Sequence, residues 1–195
     1  MHRVAAGALG ATALVGTLVA SLASSASPAS TASSTSPDKA AGSATSAEPP
    51  WVPFPEEDFT YRADRCGFDV NVHIVKAGEF VKTVTTFSNG NPQTQLFKGP
   101  LIMQFTNAET GTSIERNASG RAFETFGPDG SFKSLTIQND GSHFVAGLPP
   151  NSDPGPGIYL VSGEWSTLVI SDDGTRNLVL GPNGSAENLC IPLAS

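Results

Sequence analysis

The stretch "RCGFDVNVHIV", residues 65–75, decides the fold class, because a cysteine stands in front of a segment with a strict two-residue alternation. Its apolar residues fall on one side of an extended chain: Phe68, Val70, Val72 and Ile74. Its polar residues fall on the other side: Asp69, Asn71 and His73. This period is typical of a strand with one face on the core and one face in water. The stretch therefore predicts the first strand of a β domain.

The rest of the chain carries turn signals of the same fold class. Asparagine or aspartate precedes glycine at five places: Asn89-Gly90, Asp129-Gly130, Asp140-Gly141, Asp173-Gly174 and Asn183-Gly184. These pairs tolerate the positive φ angles of tight hairpin turns. The segments between them are rich in Val, Ile, Thr, Phe and Trp, and no convincing helical period is present. The pattern predicts an all-β domain of short antiparallel strands.

The two cysteines, Cys66 and Cys190, bracket almost the whole of this domain. An even number of cysteines in a secreted chain favours a disulfide, and two free thiols are the alternative. A disulfide between the first and last strands suits an antiparallel meander barrel of about eight strands, where those strands are neighbours. We therefore predict a disulfide-closed β-barrel, with a β-sandwich as the alternative.

The N-terminus has the features of a secretory signal peptide. Residues 1–29 contain one cation, Arg3, then an apolar run from Val4 to about Ala23 and a series of small residues. An uncleaved membrane anchor is the alternative, because the run approaches the ~20 residues that span a bilayer. If the peptide is cleaved, we expect no stable membrane insertion and a protein that is secreted, extracellular or associated with the cell wall.

Two further regions follow the predicted signal peptide. Residues 30–50 are dominated by Ser, Ala, Thr and Pro, a composition that predicts a disordered tether. Residues 51–195 have the size of a single domain. Within this domain, the proline-rich segment "LPPNSDPGPGI", residues 148–158, predicts a defined loop. The loop is expected either at a barrel mouth or between sheet layers.

Charge and motif content exclude several classes of function. The net charge is −7 and no cluster of lysine or arginine is present, which argues against nucleic acid and against anionic membranes as partners. Dinucleotide, Walker and serine-hydrolase motifs are missing from the sequence. The cysteines and histidines do not have the spacing of a zinc site. We therefore expect no cofactor and no metal.

Short motifs carry a resemblance to a known group of proteins. They are "CGFDV" at 66–70, "NASG" at 117–120, "GPGIYLVSG" at 155–163 and "LC" at 189–190. In these motifs, and in its leader and tether, the chain resembles secreted single-domain β proteins of actinobacteria that have no assigned activity. At the level of architecture it is also similar to allene-oxide-cyclase and dirigent barrels, which hold apolar ligands in an eight-stranded lumen. That likeness implies a barrel and assigns no catalytic residue.

Polar residues on the predicted strands offer a few candidates for chemistry. An aspartate beside a histidine can tune a general base, but the sequence places no nucleophile near Asp69, Asn71 and His73. We interpret this row as the solvent face of the strand. Three carboxylates also lie on predicted strands: Glu115, Glu124 and Glu164. Two converging carboxylates would suggest glycoside hydrolysis, but the sequence does not show that any two converge.

The leading prediction for function is a non-enzymatic barrel that binds a small apolar ligand, because ligand pockets are mostly apolar. The candidate ligand contacts are Phe68, His73, Tyr159, Glu164 and Trp165. The first alternative is an extracellular or cell-wall interaction module with a filled core. The second is a lipid or terpenoid cyclase or isomerase of the allene-oxide-cyclase-like type, with Glu164 or His73 as its proton handler.

Overall fold

A computed structural model describes residues 48–195 of the protein, and these residues form fourteen strands and one short helix. In chain order they are β1 (Val52–Pro53), β2 (Phe59–Tyr61), β3 (Val70–Ala77), β4 (Phe80–Thr86), β5 (Pro92–Gly99), β6 (Leu101–Asn107), β7 (Ser113–Asn117), β8 (Gly120–Phe126), β9 (Phe132–Ile137), β10 (His143–Leu148), β11 (Gly157–Ser162), β12 (Thr167–Ile170), β13 (Arg176–Val179), β14 (Ser185–Asn188) and α1 (Cys190–Leu193). The predicted signal peptide, residues 1–29, lies outside the described residues, as does most of the predicted tether, residues 30–50.

The strands pair into three antiparallel sheets, which confirms the predicted all-β antiparallel class. The seven-stranded sheet has the order β1-β4-β5-β8-β9-β12-β13, and the four-stranded sheet has the order β2-β3-β6-β7. The three-stranded sheet has the order β10-β11-β14. No helix of residues 48–195 is long and apolar enough to cross a membrane.

Three connections of one or two residues carry the chain between the seven-stranded and four-stranded sheets. They join β3 to β4, β5 to β6, and β7 to β8, so these pairs are long strands that bend from one sheet into the other. At the bend, a Cβ atom on Gly99 would lie 2.3 Å from the carbonyl oxygen of Gly78. Gly99 also has a φ of +147°, which favours glycine. The corner therefore requires glycine for both space and backbone conformation.

Gly99→Ala is expected to lower the free energy of unfolding by about 2 kcal/mol, because the backbone of Gly78 blocks the added methyl group. Urea denaturation followed by tryptophan fluorescence measures this loss. Gly111→Ala is the matched control, since Gly111 has a φ of +76° but no atom within 4 Å of an added Cβ. A loss no larger for Gly99→Ala than for Gly111→Ala would show that close packing at the corner is unimportant.

Two strands of the three-stranded sheet, β10 and β11, are buried on both faces. On β10, Val145 packs in a core with β3 and β6, whereas its neighbours Phe144 and Ala146 pack in a second core with β9 and β12. On β11, Ile158 belongs to the first core and Tyr159 to the second. Alternate side chains of a strand point to opposite faces, so this sheet lies between the other two. We call it the central sheet.

The predicted closed barrel of about eight strands is wrong. No sheet of residues 48–195 closes on itself, and three sheets in layers form a sandwich-like arrangement, closer to the alternative prediction. The physical reason lies in the segments 143–148 and 157–161, which bury side chains on both faces. A barrel wall buries only its inner face, whereas these strands occupy the interior itself.

The predicted disulfide between Cys66 and Cys190 is confirmed, with a Cα–Cα distance of 5.2 Å. Its position differs in detail from a link between the first and last strands. Cys66 lies in the turn that joins β2 to β3, and Cys190 is the first residue of α1, just after β14. The disulfide therefore connects the four-stranded sheet to the central sheet through their flanking segments.

The proline-rich loop joins β10 to β11, which are neighbours in the central sheet, so both of its predicted roles are wrong. No sheet of residues 48–195 closes into a barrel with a mouth, and the loop does not lead from one sheet to another. Its residue Asp153 forms an isolated parallel bridge with Asn177 of β13. The amide of Asp153 donates to the carbonyl of Arg176, and the amide of Leu178 donates to the carbonyl of Asp153. The loop therefore lies along β13, the terminal strand of the seven-stranded sheet.

Candidate functional site

A groove of about 290 Å³ lies beside the first strands of the four-stranded sheet. The residues that line it come from β2, β3 and β6 and from the segment just before β2: Asp58, Phe59, Thr60, Asn71, Val72, His73 and Thr106. Two members of the polar row predicted on the first strand, Asn71 and His73, are among them. The third, Asp69, is not: its carboxylate accepts a hydrogen bond from the amide of Ala63.

Asp58 orients the imidazole of His73. Its Oδ2 lies 2.8 Å from Nδ1 of His73, and its Oδ1 accepts a hydrogen bond of 2.8 Å from the amide of Ile74. The hydrogen bond to His73, followed by the one to Ile74, lowers the pKa of Asp58. An ionised Asp58 accepts a hydrogen bond from Nδ1–H of His73, which leaves Nε2 for a ligand. The His73 side chain is 61% exposed, so a ligand in solution can reach it.

A ladder of hydroxyl and amide groups continues the groove across the outer face of the sheet. Thr60, Asn71, Thr106 and Ser113 stand opposite one another on four adjacent strands. Thr60 donates to Asn71 over 2.9 Å, and the hydroxyls of Thr106 and Ser113 are 2.8 Å apart. These uncharged groups both donate and accept hydrogen bonds. The face is thus suited to a ligand that also carries many hydroxyl or amide groups.

The five residues predicted as ligand contacts do not meet in one cavity. Phe68 packs in the first core and Tyr159 in the second, on opposite sides of the central sheet. Trp165 is 56% exposed in the turn between β11 and β12, next to Glu164. Only His73 lies in the groove. The binding of a small apolar molecule stays a prediction, as does the cyclase or isomerase activity.

Asp58, the partner of His73, was not predicted from the sequence. Asp58 precedes β2, a strand of only three residues, and no alternation marks such a short strand. The available signal was the acidic segment "PEED", residues 55–58, directly before the aromatic residues of β2. That segment also supplies Glu56 to a second cluster of titratable groups.

The second cluster contains three carboxyl groups, Glu56, Glu79 and Glu124. Glu124 is 4% exposed, and its burial, followed by the charge of Glu56, raises its pKa to about 8. Burial also raises the pKa of Glu79 to about 8, and a hydrogen bond with Glu56 adds to the effect. Burial raises the pKa of Glu56 as well. The cluster therefore holds protons at pH values where ordinary carboxyl groups have lost them.

The three carboxylates singled out in the sequence do not converge on one another. Glu124 meets two residues that the sequence analysis had not singled out, whereas Glu115 lies exposed on β7 and Glu164 lies in the turn after β11. Within residues 48–195, no group of three or more histidine, cysteine, aspartate or glutamate residues has the arrangement of a metal site. The burial of Glu124 favours a role in stability over contact with a substrate.

No known protein family, curated protein or solved structure matches the chain.

Proposed function

We propose that the protein is a non-enzymatic extracellular interaction module with a filled core, and that its groove binds a hydroxyl-rich saccharide of the cell wall. The observation that carries the proposal is the groove itself, in which Asp58 holds His73 beside the hydroxyl and amide ladder. The confirmed disulfide is compatible with an oxidising extracellular location.

The chemistry of the groove fits a neutral polar ligand. A saccharide offers hydroxyl groups that donate and accept, and the amide of Asn71, the hydroxyls of Thr60 and Thr106 and the imidazole of His73 can pair with them. The methyl groups of Thr60 and Thr106 add apolar atoms for the carbon-bound hydrogens of a sugar ring. The carboxylate of Asp58, whose pKa is lowered, disfavours a strongly anionic ligand.

The architecture supports a surface site over an internal one. The central sheet fills the space between the other two sheets, and both of its faces pack against apolar side chains. An enzyme that uses a His–Asp pair to activate a nucleophile would also need a hydroxyl hydrogen-bonded to the imidazole. Among the hydrogen bonds of residues 48–195, His73 pairs with Asp58 and with no threonine hydroxyl of the groove. A binding module needs no such group.

Two binding assays test the proposal with the full chain. Sedimentation with insoluble peptidoglycan measures retention on the wall, and an NMR titration with the tetrasaccharide of N-acetylglucosamine locates the contact. We expect the amide signals of Asn71 and His73 to shift. We also expect Asn71→Ala and His73→Ala to weaken binding by about tenfold each, the effect of losing one or two hydrogen bonds.

Asn151→Ala is the matched control, because Asn151 is an exposed asparagine in the proline-rich loop, outside the groove residues. It should bind like the unmodified protein. Equal retention of the Asn71→Ala, His73→Ala and Asn151→Ala variants, or shifts confined to other surfaces, would contradict the proposal.

A further inference from the structure

Two arginine side chains converge on Gly147 of β10. Nη1 of Arg176 donates a hydrogen bond to the carbonyl of Gly147. A Cβ atom on Gly147 would lie 2.3 Å from the ring of Tyr61 and 3.0 Å from Nε of Arg65. The absence of a side chain at position 147 thus makes room for Tyr61 and Arg65, while Arg176 reaches the carbonyl of the same residue.

Arg65 is held rigidly at this place. Its side chain is only 9% exposed, and its guanidinium carbon lies 5.7 Å from the centre of the Tyr61 ring. A cation over an aromatic face is attracted by the ring. Nη1 of Arg65 contacts the carboxylate of Asp64, which is about half exposed. The orientation of the guanidinium is therefore fixed before any ligand arrives.

The two guanidinium groups lack enough partners in the protein, both as positive charges and as hydrogen-bond donors. Nε of Arg65 is buried and has no hydrogen-bond partner, and a buried donor in this state costs free energy. Burial, followed by the nearby charge of Arg65, lowers the pKa of Arg176. Asp64 also acts on Arg176, but one partly exposed carboxylate faces two guanidinium groups.

We propose that a compact oxyanion binds between Arg65 and Arg176, next to Gly147. Guanidinium groups bind the oxygens of phosphate, sulfate and carboxylate through paired hydrogen bonds, and they remain charged at any physiological pH. An oxyanion would accept from the unpaired donor of Arg65 and offset the repulsion between the two cations. The shared chemistry of the ligand is a negative charge spread over at least two oxygen atoms.

This site is separate from the saccharide groove. On β2, the side chain of Tyr61 belongs to the interior core, whereas Thr60 lies in the groove on the outer face. The oxyanion site also adjoins the disulfide, because Arg65 precedes Cys66 and the sulfur of Cys190 lies 3.8 Å from the carbonyl oxygen of Arg65. Bound anion would thus stabilise the turn that carries Cys66.

The experiment is a titration of the full chain with inorganic phosphate at constant ionic strength, with chloride as the reference salt. The side-chain Nε–H signal of Arg65 in a nitrogen-15 NMR spectrum reports contact directly. We expect this signal to shift in a saturable manner. We also expect 50 mM phosphate to raise the Tm by about 3 °C, because a ligand that binds only the folded state stabilises it.

Two variants and two further anions complete the test. Arg176→Gln should weaken phosphate binding by at least about tenfold, whereas Arg121→Gln, which removes an exposed arginine of β8, should leave it unchanged. Sulfate should compete with phosphate. Competition by acetate would identify carboxylates as ligands, and no competition would identify tetrahedral oxyanions, so that either result supports the site.

An Arg65 Nε–H signal that does not respond to phosphate would overturn the proposal, even if Arg176→Gln failed to fold. An equal rise in Tm for Arg176→Gln and Arg121→Gln would overturn it as well, because the anion would then act on the protein without using this pair of arginines.

Discussion

Reduction of the disulfide between Cys66 and Cys190 is expected to lower the free energy of unfolding by about 4 kcal/mol. The two cysteines are separated by 124 residues, so the disulfide closes a loop that spans most of the described chain. Opening a loop of this length gives the unfolded chain much more conformational freedom. The loss also reaches α1, where Leu193 is fully buried in the first core.

Urea denaturation with and without dithiothreitol measures this loss. A double variant, Cys66→Ser with Cys190→Ser, should show the lower stability in both conditions and should not respond to the reductant. Its groove should still bind the tetrasaccharide of N-acetylglucosamine, because neither cysteine lines the groove. A loss below about 1 kcal/mol would mean that the reduced chain stays constrained by other contacts.

Raising the pH from 5 to 9 is expected to lower the free energy of unfolding by about 3 kcal/mol. Glu79 and Glu124 have pKa values of about 8 in the folded protein, against an ordinary value of 4.5. The folded state therefore keeps protons that the unfolded state releases. Stability contributed by these protons is fully present below about pH 4.5 and is lost as the pH rises through about 8.

Other carboxyl groups lower the free energy of unfolding when the pH becomes strongly acidic. Hydrogen bonds to His73 and to Arg116 lower the pKa values of Asp58 and Glu187, respectively. Their contribution is present above the pKa of the unfolded chain and is lost as the pH falls through the lowered values in the folded state. The two effects have opposite slopes, so the maximum of stability is expected in mildly acidic solution.

Glu124→Gln separates the buried cluster from the rest of the protein. This change keeps the shape of the side chain and removes its ionisation, so we expect a smaller loss of stability between pH 5 and pH 9. The variant should be more stable than the unmodified protein at pH 9, by about 2 kcal/mol. Glu115→Gln, at an exposed position on β7, is the control. An identical pH profile for both variants would show that the loss of stability between pH 5 and pH 9 does not come from Glu124.

Local patterns predicted the strands and the disulfide but not their assembly. The alternation from Phe68 to Ile74 predicted a half-buried strand, and β3 has that burial at Val70 and Val72. The pairing of strands into sheets depends on contacts between distant segments, which local periodicity does not contain. The run "HFVAG" at residues 143–147 is compatible with a barrel wall and with a layer buried on both sides. The structure shows the second arrangement.

Local sequence patterns also fail to predict which single residues meet in the groove. His73 was a candidate because of its place on an alternating strand, but its partner Asp58 lies fifteen residues earlier in the chain. Glu79 carries no pattern, because it stands in a two-residue connection between β3 and β4. Its raised pKa arises only when the fold brings Glu56 close to it. Sites of this kind depend on the tertiary structure.

The loop along β13 bears on how the protein behaves at high concentration. The terminal strand of a sheet has free backbone donors and acceptors, and another chain can use them to extend the sheet into an aggregate. Here the amide of Leu178 and the carbonyl of Arg176 are already paired with Asp153. A second copy would have to displace this loop before it could add a strand at that edge, so the loop acts as a barrier to polymerisation.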